Sequence, residues 1–258
     1  MSSIRIAAFT SLIALGASCS SSTKADPPPP PSQTTVVLVH GAFADGSSWA
    51  NVIPLLQAKG LHVVAVQNPL TSLSDDVQTT KRAIAGQSGP VVLVGHSWGG
   101  TVITEAGNDD KVKALVYVAA FAPSAGQSTA DTSKDFPPPP GLATLKVDAF
   151  GFGSLPPETV RNHFAPDVSP DVANIIATTQ GPIRVSAFEE KIHTPAWASK
   201  PNWYVVAAND HMIQPNQERA MAKTIHAQVT ELASSHVAMV SHPQEVANVI
   251  LAAADGID

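Results

Sequence analysis

The chain has 258 residues, enough for one α/β domain with a full core, and a formal net charge of -6. With Lys and Arg scattered and no basic stripe, that balance excludes a nucleic-acid surface. Apolar residues reach 44% and charged residues only 14%, which suits a compact, well-buried domain rather than a disordered chain. The nine histidines show no H-x-x-x-H spacing, and Cys19 is the one cysteine, so neither a metal site nor thiol chemistry nor a cofactor is expected of the folded part.

At the N-terminus, Met1 to Ser18 holds one basic residue, Arg5, then an apolar run from Ile6 to Leu15, then small residues. That is the layout of a signal peptide over residues 1–19, too short for a membrane-spanning helix. Export to the periplasm, the medium or the cell envelope is therefore expected. Leu15-Gly16-Ala17-Ser18-Cys19 resembles a bacterial lipobox, with Gly16 where an apolar residue is wanted, so membrane anchoring through a lipidated Cys19 stays open beside release. Residues 20–33 are polar and include Pro27 to Pro31, a composition that favours extended polyproline and forms no core. They read as a tether to a domain over residues 34–258.

Within that domain, Thr35 to Val39 is a short β-branched strand ending at His40-Gly41. Trp49 to Ala58 reads as a helix that stops at Gly60, and Leu61 to Val66 as the next strand. Ser74 to Ala85 is a mainly polar helix, with Asp75 and Asp76 in the first turn where they suit the helix dipole. Val91 to Val94 and Ala114 to Val118 are further strands. Asn202 to Ala207 and Gln228 to Leu232 are the last two, separated by a helix over Gln217 to Ile225, and Gln244 to Ala254 closes the chain as an amphipathic helix. Short apolar strands alternating with helices imply a mostly parallel, doubly wound sheet covered on both faces. The rhythm breaks over about 123–200, where Pro137 to Pro140, Pro156-Pro157 and a short helical piece at Pro170 to Thr178 read as an inserted cap.

Val94-Gly95-His96-Ser97-Trp98-Gly99 places Gly-x-Ser-x-Gly between a strand and a helix. A turn this sharp needs small residues two before and two after the strained position, which Gly95 and Gly99 provide. Ser97 would then stand exposed above a helix N-terminus, whose free N–H groups favour a developing oxyanion. A serine hydroxyl needs a base, and the base a third group to hold it. In an open α/β sheet both belong just past the carboxyl ends of strands. Asp210 follows the strand at Ala207, and His236 lies four residues past Leu232. Asp109, Asp110, Asp167 and Asp171 are less well placed as the acid. His96 reads as packing, and His242 as a capping or surface residue. The oxyanion donors are expected to be the backbone N–H of Trp98 and that of Ala42, with Phe43 as the alternative to Ala42. Phe43, His211 and Val237 are expected to line the substrate pocket.

From about Val36 onward, the blocks Val37-Leu38-Val39-His40-Gly41-Ala42-Phe43, Val94 to Gly100, Val118 to Pro123 and Ser235 to Met239 with His242-Pro243 resemble the α/β-hydrolase superfamily. Within it they are similar to small bacterial esterases and to the plant group of methyl-salicylate-type esterases and hydroxynitrile lyases. The resemblance implies an α/β-hydrolase fold. In that group the lyases carry Lys directly after the catalytic His and Thr directly after the first motif His. Here those positions are Val237 and Gly41, which favours hydrolysis of a small-molecule ester. Transfer of the acyl group to peroxide or an alcohol, and a non-catalytic exported binding protein, are the alternatives. The residues from Pro123 to Pro195 match the group poorly.

Overall fold

The computed structural model describes residues 33–257. The leader, Cys19 and the tether up to Ser32 lie outside the described residues. In chain order the strands are β1 (Thr35–Val39), β2 (His62–Val66), β3 (Val91–Ser97), β4 (Val112–Ala120), β5 (Lys146–Val147), β6 (Phe152–Ser154), β7 (Ile183–Arg184), β8 (Asn202–Ala207) and β9 (Gln228–Leu232). The helices are α1 (Ile53–Gln57), α2 (Leu73–Ala85), α3 (Trp98–Ala106), α4 (Thr129–Thr132), α5 (Pro157–Thr159), α6 (Pro170–Thr179), α7 (Pro215–Thr224), α8 (Ala238–Ser241) and α9 (Pro243–Asp255).

Six strands form one parallel sheet in the order β2-β1-β3-β4-β8-β9. A parallel sheet is covered on both faces, so its inner strands are continuous apolar runs rather than alternating ones. Every residue of β1 and β3 is accordingly buried. Edge strand β9 departs from this, with Gln228, Val229 and Glu231 exposed. Helix α3 packs on β3 and β4 with α2 beside it, while α9 lies against β4 and β8 next to α1.

The first helix and strands β3 and β4 differ from the sequence expectation. The helix read over Trp49 to Ala58 is a 3-10 turn at Gly46–Trp49 followed by α1. Pro54 lies in the first turn of α1, where its missing N–H costs nothing; inside a longer helix it would break the ladder. Strands β3 and β4 run further than their β-branched runs, because Gly95 pairs with Tyr117 and His96 with Val118. The pairing then shifts by one at Ala119, whose φ is 43°, so that Ser97 lies opposite Ala120.

From Phe121 to Pro201 the chain leaves the main sheet. This stretch holds α4, α5, α6, several single turns and a small antiparallel sheet in the order β5-β6-β7.

Candidate active site

Ser97 ends β3, and α3 begins at the next residue. Its φ of 52° and ψ of -121° lie where a residue with a side chain rarely sits. The turn leaves no room on either side. A Cβ on Gly95 would stand 2.5 Å from the Gly99 carbonyl oxygen, and one on Gly99 would stand 2.5 Å from that of Val39. Gly41 is pressed equally close, since a Cβ there would lie 2.7 Å from the Cβ of Ser97. The first N–H groups of α3, beginning with Trp98, have no partner within the helix.

Asp210 sits in the loop after β8 and His236 in the loop after β9. The His236 Nδ1–H donates to Asp210 Oδ2 at 2.5 Å. That bond fixes the tautomer and leaves Nε2 as the basic nitrogen. Asp210 Oδ1 accepts from the backbone N–H groups of Met212 at 2.5 Å and Ile213 at 3.0 Å. Both side chains are removed from solvent, whereas Ser97 keeps 7% of its surface exposed. Ser97 and His236 open on one cavity of about 300 Å³, together with Ala42 and Phe43 from the loop after β1. Phe121 and Met212 complete its wall on the sheet side, and Leu142, Val185, Phe188 and Glu189 close it from the segment between β4 and β8.

The loop carrying Ala42 is braced from behind. His40 Nε2 accepts the Asn68 N–H at 2.9 Å, so its Nδ1–H donates to the Gly41 carbonyl at 2.8 Å. Burial lowers the pKa of this imidazole and keeps it neutral. Phe43, with φ 59°, turns the chain back toward the cavity.

The structure brings together Ser97, His236, Asp210, Ala42 and Phe43, but it places two expected pocket residues elsewhere. His211 is exposed, with its Nδ1 3.2 Å from that of His163. Because Asp210 binds the amides of Met212 and Ile213, the loop curls and presents Met212, not His211, to the cavity. Val237 is packed in the core at 1% exposure and does not line the cavity either.

Three further residues touch this machinery. His96 does more than pack: its Nε2–H donates to the His236 carbonyl at 2.9 Å, and burial holds its pKa well below the ordinary histidine value. Asp167, from the segment between β4 and β8, accepts the Ser235 N–H at 2.7 Å and the Ser235 hydroxyl, gripping the residue before His236. Asp76 lies in the first turn of α2 and is buried. Its Oδ2 accepts the indole N–H of Trp98 at 2.7 Å and its Oδ1 the Leu70 N–H at 2.8 Å. Trp98 in turn meets Phe188 edge-on, ring centroids 5.4 Å apart. These contacts join residues 140, 68 and 22 positions apart, so no local pattern announces them.

A hydroxyl on a strained strand–helix turn, an imidazole on the same cavity and a carboxylate behind it, all at the carboxyl ends of parallel strands, define the site type of the α/β hydrolases. The chain belongs to that family: the model described as the alpha/beta hydrolase family matches residues 36–249. It is 25% identical to the probable hydrolase R7 of Phoma sp., over 83% of this chain and 96% of that protein. It is 27% identical to methylesterase 8 of Arabidopsis thaliana, over 85% of this chain and 89% of the relative. The crystal structure of polyneuridine aldehyde esterase shares the fold with a TM-score of 0.77 at 21% identity, covering 86% of this chain and 100% of the other.

Proposed function

We propose that the protein hydrolyses small or medium carboxylic esters through an acyl-enzyme on Ser97. The observation that carries this reading is the shared cavity of Ser97 and His236 with Asp210 bonded behind the imidazole. Relatives named methylesterase and carbendazim hydrolyzing esterase, and the neighbour named polyneuridine aldehyde esterase, support ester hydrolysis as the reaction class. The apolar wall of Phe43, Phe121, Leu142, Phe188 and Met212 favours an ester with an apolar acyl or alcohol part.

In this reaction His236 Nε2 takes the Ser97 proton as Oγ bonds to the acyl carbon. The carbonyl π pair moves onto oxygen, where the N–H groups of Ala42 and Trp98 hold the charge. The tetrahedral adduct collapses, the bond to the alkoxide breaks, and His236 protonates the leaving alcohol. Water then gives its proton to His236 and attacks the acyl carbon. Collapse releases the acid and returns the proton to Ser97. Asp210 orients His236 and stabilises its imidazolium.

Hydrolysis of p-nitrophenyl butyrate by the purified protein and by Ser97→Ala tests the reading. A rate loss of roughly 10³-fold or more is expected, because the hole and the pocket alone leave little turnover. Equal rates in the two proteins would discard it.

A further inference from the structure

Glu218 is a buried carboxyl for which the reaction above has no use. It lies on α7, one turn past the loop that carries Asp210, and it is fully removed from solvent. Its Oε2 accepts the Ala207 N–H at 2.9 Å, at the end of β8. Its Oε1 meets no donor among the described residues. The Asp210 side chain stands within hydrogen-bond reach of it.

Two buried carboxylates in contact cannot both be ionised without a cation between them, so the pair holds one proton. The donors decide where that proton sits. Asp210 already accepts three hydrogen bonds, from His236, Met212 and Ile213, all of which favour its charged form. Glu218 accepts one. The nearest arginine, Arg219, is spent on Glu231 at the surface, at 2.6 Å. Tyr204, on β8, donates its hydroxyl proton to the Ala120 carbonyl, so that proton is not given to Glu218.

We propose that Glu218 is a positioning residue of this site: as a neutral acid it donates its proton in a hydrogen bond to Asp210 and so orients the carboxylate that holds His236. The proposal rests on the reading of Asp210 as the acid of the site. Burial and the neighbouring Asp210 charge both push the Glu218 pKa well above the ordinary carboxyl value, in keeping with a proton retained at neutral pH. The Glu218 hydroxyl gives Asp210 a fourth donor and closes the one open side of that carboxylate. It also spreads the charge of Asp210 over two residues as the imidazolium forms.

The test uses the full chain with Glu218→Gln and Glu218→Met, reading kcat, KM and Tm from about pH 5 to 9, across the range a raised carboxyl titrates. Gln keeps both roles, its amide N–H replacing the acid proton and its carbonyl accepting from Ala207. E218Q should therefore hold kcat within about threefold of wild type, and E218M should lose about tenfold or more in kcat with KM little changed. As pH rises, ionisation of Glu218 should lower wild-type kcat and Tm relative to E218Q. If E218M retains wild-type kcat, or if the Tm curves of wild type and E218Q run parallel, the proposal is overturned. Should E218M not fold, the Tm comparison of wild type with E218Q decides alone. Because Tm needs no turnover, it also separates failure of the Glu218–Asp210 pair from failure of the esterase reading, which Ser97→Ala judges.

Discussion

Asp76 and Trp98 show how a carboxyl outside the cavity bears on the residue whose backbone N–H is assigned to the oxyanion. Burial pushes the Asp76 pKa up to about 6, with Asp75 and Glu190 adding to it, against the hydrogen bonds from Trp98 and Leu70. Between the unfolded carboxyl value near ~3.9 and this raised value, the folded state keeps a proton that the unfolded chain has released. Its stability contribution is therefore complete below about pH 4 and is lost as pH rises through about 6. Two units correspond to roughly 3 kcal/mol. In denaturant titrations, the stability of wild type minus that of Asp76→Asn should be about 2 kcal/mol less favourable to wild type at pH 7 than at pH 4. An unchanged difference would show that Asp76 does not titrate in this window. His96 acts on the base of the site instead, through the His236 carbonyl. His96→Phe keeps a ring in place but takes the donor from the His236 carbonyl, at a cost of about 1–3 kcal/mol. A domain of this size should then melt roughly 2–12 °C lower, and kcat should fall about tenfold as His236 loses its anchor. Thermal melts and steady-state rates measure both.

At the scale of elements, the segment between β4 and β8 is tied to the catalytic loop by Asp167. Asp167→Ala removes the acceptor for both the N–H and the hydroxyl of Ser235. Hydrogen bonds to a charged group contribute about 1.5–3 kcal/mol, so kcat/KM for p-nitrophenyl butyrate should drop roughly tenfold to a hundredfold. An unchanged rate would mean that this segment does not hold the loop. The strands around that loop were legible in the sequence for a plain reason. A strand buried on both faces must be a run such as Val36 to Val39 or Val91 to Val94, and Asn202–Ala207, another such run, was readable to the residue. Ser97 and Asp210 were legible because each lies where such a run ends, and His236 because it follows the edge strand β9. The pocket wall was not. Leu142, Val185 and Phe188 come from short 3-10 turns, too short to show a period, and their positions depend on contacts distant in the chain. His211 was misplaced for the same reason: two amides bonding Asp210 decide which side of the loop faces inward, and neither is visible as a pattern.

At the scale of the molecule, the described residues 33–257 hold the six-stranded sheet, a buried core and every side chain assigned a role in the reaction. A variant starting at Ser32 should keep the Tm and the kcat/KM of the full chain, the first within about 2 °C, since that is the scale of a change under 1 kcal/mol. A loss of activity on truncation would give the first 31 residues a part in folding or catalysis. For those residues we propose an address, on the strength of the Arg5, Ile6 to Leu15 and Cys19 layout. Mass analysis of the mature protein from a bacterial host should find the leader removed, with a diacylglyceryl mass on Cys19 if the envelope anchor is used. An intact Met1 would remove the proposal.

The close approach of Gly41 to Ser97 also bears on how this scaffold could diverge. A route from this chain toward the lyases it resembles would install Lys at position 237 and Thr at position 41. The first change puts a cation at a buried core position and needs a partner for its charge. The second puts a Cβ 2.7 Å from the Cβ of the nucleophile and 3.0 Å from the His96 carbonyl oxygen. Single substitutions in that direction would pass through a variant whose serine is displaced before any new chemistry is gained. The backbone of the loop after β1 must therefore retreat first, and divergence from this chain begins with a loop shift and not with a catalytic residue.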